Sequence, residues 1–101
     1  MSSPLIVQLD LAEFCEATDL SDAYVIEIVE HGILEPQGAQ PREWRFTDVE
    51  LTLARRAAKL RHDLELEWEG VALAMELLEE VKALRAENRM LRQRLARLVA
   101  E

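Results

Sequence analysis

The sequence predicts a mainly α-helical fold: a small winged helix-turn-helix domain with a short β-hairpin, followed by a long C-terminal coiled-coil helix. Two short amphipathic stretches flank a tight polar turn at Thr18-Asp19-Leu20-Ser21. A loop rich in proline and glycine then separates two strand-like runs. Finally, Leu77, Leu84, Leu91 and Leu98 recur every seven residues with Asn88 in the companion register, the pattern of a paired helix.

At 101 residues the chain is one small domain plus at most an extension, and a domain of that size buries a modest core unless it associates. Half the residues are apolar, so the chain folds despite a formal charge of −8. The single Cys15 excludes an intramolecular disulfide and a Cys-rich metal site, and fits a reduced, cytoplasmic setting. Met1 to Pro4 lacks a basic flank, and the early apolar runs fall far short of the ~20 residues that span a bilayer, so a soluble protein is expected.

Charge is unevenly placed. Residues 1–41 hold eight acids and no lysine or arginine; 62–81 hold seven acids and no cation; from 82 onward six cations face two acids. A helix-turn-helix that reads DNA needs cations against phosphate, so an acid-only one points to a protein partner.

Taken in order, Leu5-Ile6-Val7-Gln8-Leu9 suits an opening strand, and Asp10 offers an N-cap for a helix through Leu11 to Ala17. Ser21 caps a second helix that runs to His31, with Val25, Ile28 and Val29 facing inward and Gly32 as its left-handed stop. Ile33-Leu34-Glu35 and Glu43-Trp44-Arg45-Phe46 flank the loop from Pro36 to Pro41 and read as a hairpin or wing. Thr47, with Glu50 three residues on, is a capping box for a third helix that carries Leu51, Leu53, Ala54, Ala57, Leu60 and Leu64 inward and ends near Glu67. Gly70 then separates it from a last helix reaching about Ala100. The expected domains are 1–69, a winged helix-turn-helix-like protein-binding domain, and 70–101, a coiled-coil dimerisation helix.

With the leucines at d, Ala74, Val81, Asn88 and Leu95 fall at a, so the dimerisation surface is Leu77, Val81, Leu84, Asn88, Leu91, Leu95 and Leu98. Leucine at d with one asparagine at a favours two strands, because a buried amide is best satisfied by its twin across the axis. Glu80 at g facing Arg85 at e of a partner, and Glu87 facing Arg92, agree with a parallel homodimer. The competing arrangement packs the stripe back on its own domain.

The run from Val25 to Pro36 (Val25-Ile26-Glu27-Ile28-Val29-Glu30-His31-Gly32-Ile33-Leu34-Glu35-Pro36), with Trp44-Arg45-Phe46-Thr47 and Leu60-Arg61, resembles the winged helix-turn-helix of MerR-like regulators. In that family the second helix presents an arginine and a tyrosine to DNA; Ile26 and Ile28 stand at the matching positions here, while Arg45 and Phe46 match the basic-aromatic pair after the wing. From about Leu5 onward the chain resembles more closely the chaperone-modulator family CbpM. The matching pieces are Glu13-Phe14-Cys15, Gly32-Ile33-Leu34-Glu35-Pro36, Trp44-Arg45-Phe46, Arg61-His62-Asp63-Leu64, Gly70-Val71-Ala72-Leu73 and the stretch from Glu87 to Leu95. Asp19 replaces a usual glycine, and the loop from Gln37 to Pro41 departs from the pattern. The resemblance implies a protein that binds the J-domain of a CbpA-type co-chaperone and inhibits its co-chaperone and DNA-binding activities.

The residues expected to meet such a partner are Glu13, Glu16, Asp22, Tyr24, Ile26, Glu27 and Glu30, an acidic rim around an apolar pair; Tyr24 and Ile26 could instead complete the core. Cys15 could pair with His31 as a nucleophile, but no orienting third group accompanies them, and a buried apolar cysteine is the better reading. No catalytic residues, cofactor or metal site are expected: His62 and Asp63 are adjacent and diverge, and no His or Cys spacing suits a metal. No membrane contact and no specific nucleic acid are expected. The alternative is a MerR-like transcriptional regulator using Arg42, Arg45, Arg55, Arg56 and the wing. The heptads yield one test: Asn88→Leu should raise the thermal midpoint while blurring the oligomeric state in sedimentation, and a concentration-independent monomer at tens of micromolar for the parent chain would refute the dimer.

Overall fold

The computed structural model describes residues 8–100. Among these residues four helices form, α1 (Leu11–Thr18), α2 (Asp22–Glu30), α3 (Asp48–Leu64) and α4 (Trp68–Ala100), with one 3-10 turn at Pro41–Glu43. Their starts follow from side chains that satisfy orphan amides. Asp10 accepts from the Glu13 amide at 2.8 Å and Glu13 reaches back to the Asp10 amide at 2.9 Å. Ser21 accepts from the Tyr24 amide at 3.1 Å, and Glu50 accepts from the Thr47 amide at 3.0 Å. α2 stops as expected: Gly32 takes φ +74°, and the Ile33 amide returns to the Ile28 carbonyl at 3.2 Å.

The break between α3 and α4 lies elsewhere than the sequence suggests. α3 ends at Leu64, Glu65 adopts a left-handed conformation at φ 51°, and α4 starts at Trp68 with Gly70 inside its first turn. The core dictates this, because Trp68 and Val71 are both buried and a helix beginning at Val71 would leave the indole unplaced. Leu64, expected inward, is 59% exposed at that helix end.

The hairpin also contracts. Among the described residues no strand forms; one isolated antiparallel bridge, Gln37 with Arg45, stands in place of the hairpin, and another joins Leu9 to Phe46. Pro36 and Pro41 lack amide donors, and Gly38 at φ +119° sits so close to Glu43 that an added Cβ would lie 2.6 Å from its carbonyl oxygen. Only Gln37 and Arg45 remain to exchange amides, at 2.9 and 3.2 Å. Leu5 to Val7 of the expected opening strand lie outside the described residues; Leu9 does pair, exchanging two 2.8 Å bonds with Phe46.

That pairing lays Phe46 on Phe14, with stacked rings 4.1 Å apart, and brings Trp44 edge-on to Phe46 at 6.0 Å. Val25 and Ile28 of α2, Leu34, Ala54 and Ala57 of α3, and Trp68 and Val71 of α4 complete the core. The two alanines let α3 run close to its neighbours, and Arg55 ties α3 to the end of α1 by donating to the Ala17 carbonyl at 3.0 Å. Two non-glycine residues occupy the left-handed region, Asp19 (φ 60°) and Glu65 (φ 51°), but only aspartate tolerates it readily. Glu65→Gly should therefore raise stability by about 0.5–1 kcal/mol, whereas Asp19→Gly should stay within about 0.5 kcal/mol of the parent. Urea unfolding at fixed protein concentration measures both.

Candidate protein-interaction surface

α2 carries two rows of side chains with different duties. Asp22, Ile26 and Glu30 stand four residues apart and so share one face; Asp22 and Glu30 are exposed and Ile26 is half-buried against the core. Tyr24, Glu27 and His31 turn instead toward the start of α4. There the indole of Trp68 donates through Nε1 to Oε2 of Glu27 at 2.8 Å, and Tyr24 meets the same ring edge-on at 5.0 Å. The Arg61 guanidinium of α3 lies over the indole face at 4.4 Å, with its Nη1 buried and making no hydrogen bond among the described residues. Three helices thus meet on one side chain.

Of the residues expected to face a partner, Glu16, Asp22 and Glu30 are exposed, and Glu13 is exposed but bonded within its capping box. Tyr24 and Glu27 have an internal role on Trp68 as well as exposed atoms. In the sequence Trp68 reads only as a bulky side chain suited to packing, and this junction is not visible there. An indole needs an acceptor, but nothing local in the chain names Glu27, forty-one positions away.

His31 continues the junction. One ring nitrogen, Nδ1, lies 2.8 Å from the Glu27 carbonyl oxygen, and Nε2 lies 3.4 Å from Oε1 of Glu69. Both neighbours accept, so only the imidazolium satisfies both. The carbonyl bond is the largest effect and holds the His31 pKa above its ordinary 6.5; desolvation opposes it, and the Glu69 and Glu27 carboxylates add to the rise. Burial, with Asp22 nearby, pushes the Cys15 thiol up, so it stays protonated and is a poor nucleophile.

Two of the four cations offered for DNA, Arg45 and Arg55, are bonded within the fold. Ile28, at the position where MerR-like regulators carry a DNA-contacting residue, is fully buried. Arg55 caps α1, and Arg45 donates to the Trp44 carbonyl at 2.9 Å.

On α4, Leu77, Val81, Leu84, Leu91, Leu95 and Leu98 are between 40 and 71% exposed. The leucine stripe does not fold back on its own domain. Asn88 is exposed, and its Oδ1 accepts from Arg92 at 3.1 Å.

Residues 9–93 match the family of the MerR HTH family regulatory protein. The chain is also 64% identical over 97 residues, 96% of each chain, to a chaperone modulatory protein CbpM of Pseudomonas putida, and 62% identical over the same share to that of Pseudomonas entomophila. An Escherichia coli CbpM is 43% identical over 94 residues, 93% of each chain. The chain belongs to the CbpM family. The relatives are named chaperone modulatory proteins, and this chain carries the MerR-like domain that the family model describes. No described helix is long and apolar enough to cross a membrane.

Because the folded pKa of His31 is raised, its contribution to stability should be fully present below about pH 6.5 and lost as pH rises through the folded value. His31→Gln should flatten that part of the stability profile. Equal slopes for parent and variant in thermal unfolding between pH 6 and 8 would refute the coupling.

Proposed function

We propose that this chain is a protein-binding modulator that binds the J-domain of a CbpA-type co-chaperone and inhibits its co-chaperone and DNA-binding activities. One observation carries the reading: residues 1–41 display acids with no cation, and α2 sets Asp22 and Glu30 on either side of the half-buried Ile26. A basic helix of a J-domain, the surface it offers its chaperone, complements such a face in charge and can bury an apolar centre. The names of the relatives, chaperone modulatory proteins, support the same class of role.

In this reading residues 1–69 bind the partner and 70–101 pair two copies in parallel through Leu77, Val81, Leu84, Asn88, Leu91, Leu95 and Leu98. The bare stripe supports the pairing, since it has no cover within its own chain. The pair would work in the cytoplasm, without cofactor, metal or membrane. DNA reading finds no support in a helix whose outer row is Asp22, Ile26 and Glu30.

Charge reversal should be made where the fold does not depend on the acid. Glu16→Lys with Glu30→Lys should slow association with a purified J-domain by roughly three- to tenfold at physiological salt and weaken the salt dependence. Ile26→Ala should act on dissociation instead. Glu27→Lys is a poorer probe because it also removes the acceptor of the Trp68 indole. If the double reversal leaves both rate and salt dependence unchanged, the J-domain does not bind this face.

A further inference from the structure

We infer that the cleft between α3 and α4 is a second docking surface, of opposite charge to the first, that receives an acidic amphipathic helix of a partner protein. The inference stands apart from the reading of the α1–α2 face. α4 diverges from α3 beyond the core and leaves an open cleft of about 620 Å³. Its walls are Arg56 and Lys59 on α3 and Lys82, Arg85 and Arg89 on α4. Leu60, Leu78 and Val81 line it between those walls, and Leu78 and Val81 are 43% and 40% exposed.

The charge in this cleft is unspent. Asp63 is its single acid, and Lys59 already binds it at 2.9 Å. Among the described residues, Arg56, Lys82, Arg85 and Arg89 have no carboxylate within 4.0 Å. Four free cations around exposed leucine and valine, in a chain of net charge −8, form a local field opposite to that of the whole molecule.

The occupant follows from that combination. An extended polyanion such as nucleic acid would feel the net negative charge beyond the cleft, and would find no aromatic ring there on which to stack a base. A short helix with leucines on one face and glutamates on its flanks satisfies both the apolar strip and the cationic walls, and its few charges lie within a Debye length of about 8 Å. Of the residues lining this cleft, Val81 falls at heptad position a and Leu78 and Arg85 at e, so the cleft borders the seam of the proposed pair. Lys82 and Arg89 both fall at heptad position b, away from the seam and its e and g flanks.

The test uses the full chain and a labelled helical peptide with leucines on one face and glutamates on both flanks, followed by fluorescence anisotropy. Binding should weaken about tenfold or more for Lys82→Glu with Arg89→Glu, and as much when the peptide leucines become serines, since tenfold corresponds to about 1.4 kcal/mol. Helical content and sedimentation of the double reversal should match the parent. Three results would overturn the proposal: unchanged peptide affinity after the reversal, equal affinity for the serine peptide or for a single-stranded DNA oligomer of matched charge, or a reversal that changes the sedimenting mass and so assigns the cleft to a second copy.

Discussion

The structure turns on the indole of Trp68. It is the first residue of α4 and is 5% exposed; it binds Glu27 of α2 through Nε1, takes Tyr24 on its edge and Arg61 of α3 on its face. Without it nothing fixes where α4 begins, because Gly70 alone is compatible with helix and Glu65 pays a left-handed strain to reverse the chain just before it. An ionised acceptor strengthens an indole hydrogen bond relative to a neutral one, so the carboxylate that the chain places here holds α2 and α4 in a defined angle. The acid that seemed free for a partner is therefore partly structural.

From that junction the charge pattern becomes spatial. The acid-only residues form α1 and α2, net positive charge falls to residues 42–61 and to α4 beyond Val81, and the two groups meet at Arg55 with the Ala17 carbonyl and around the Trp68 indole. A chain that drew stability from ion pairs would interleave them, although pairs exposed to solvent gain little and cost side-chain entropy to hold. Keeping them apart leaves two fields of opposite sign. Segregation of this kind favours association rate and choice of partner over the stability of the monomer.

Much of the fold is legible in local chemistry. Asp10, Ser21 and Thr47 cap helices because each needs only its own next few amides, and Gly32 ends α2 because a positive φ is nearly free for glycine. Features that depend on distant packing are not legible. Glu65, not Gly70, ends the third helix, since burial of Trp68 and Val71 outweighs the local preference. The expected hairpin shrinks to one bridge because two prolines and a crowded Gly38 leave a single pair of residues free to bond. Among the candidate contact residues, sequence shows that Glu13, Glu16, Asp22, Glu27 and Glu30 are acidic, but only the folded chain shows that Glu13 and Glu27 are bonded within it. The α3–α4 cleft is invisible in sequence because it exists only through the angle between two helices.

The length of α4 poses a last physical question. Thirty-three residues at 1.5 Å each extend about 50 Å, and from Glu76 onward every described residue is exposed. An isolated helix is marginal in water, since tertiary packing of its apolar face supplies most of helical stability in proteins. Salt-tolerant support from within is slight, as the Asn88–Arg92 bond is one exposed contact. Six large apolar side chains on one seam supply the missing term only if another apolar surface covers them, which the proposed pairing would provide. Because α4 is continuous with Trp68, any cover that straightens or bends it acts on the same indole that holds α2. On the proposed reading, pairing along α4 and partner binding by α2 meet at this indole.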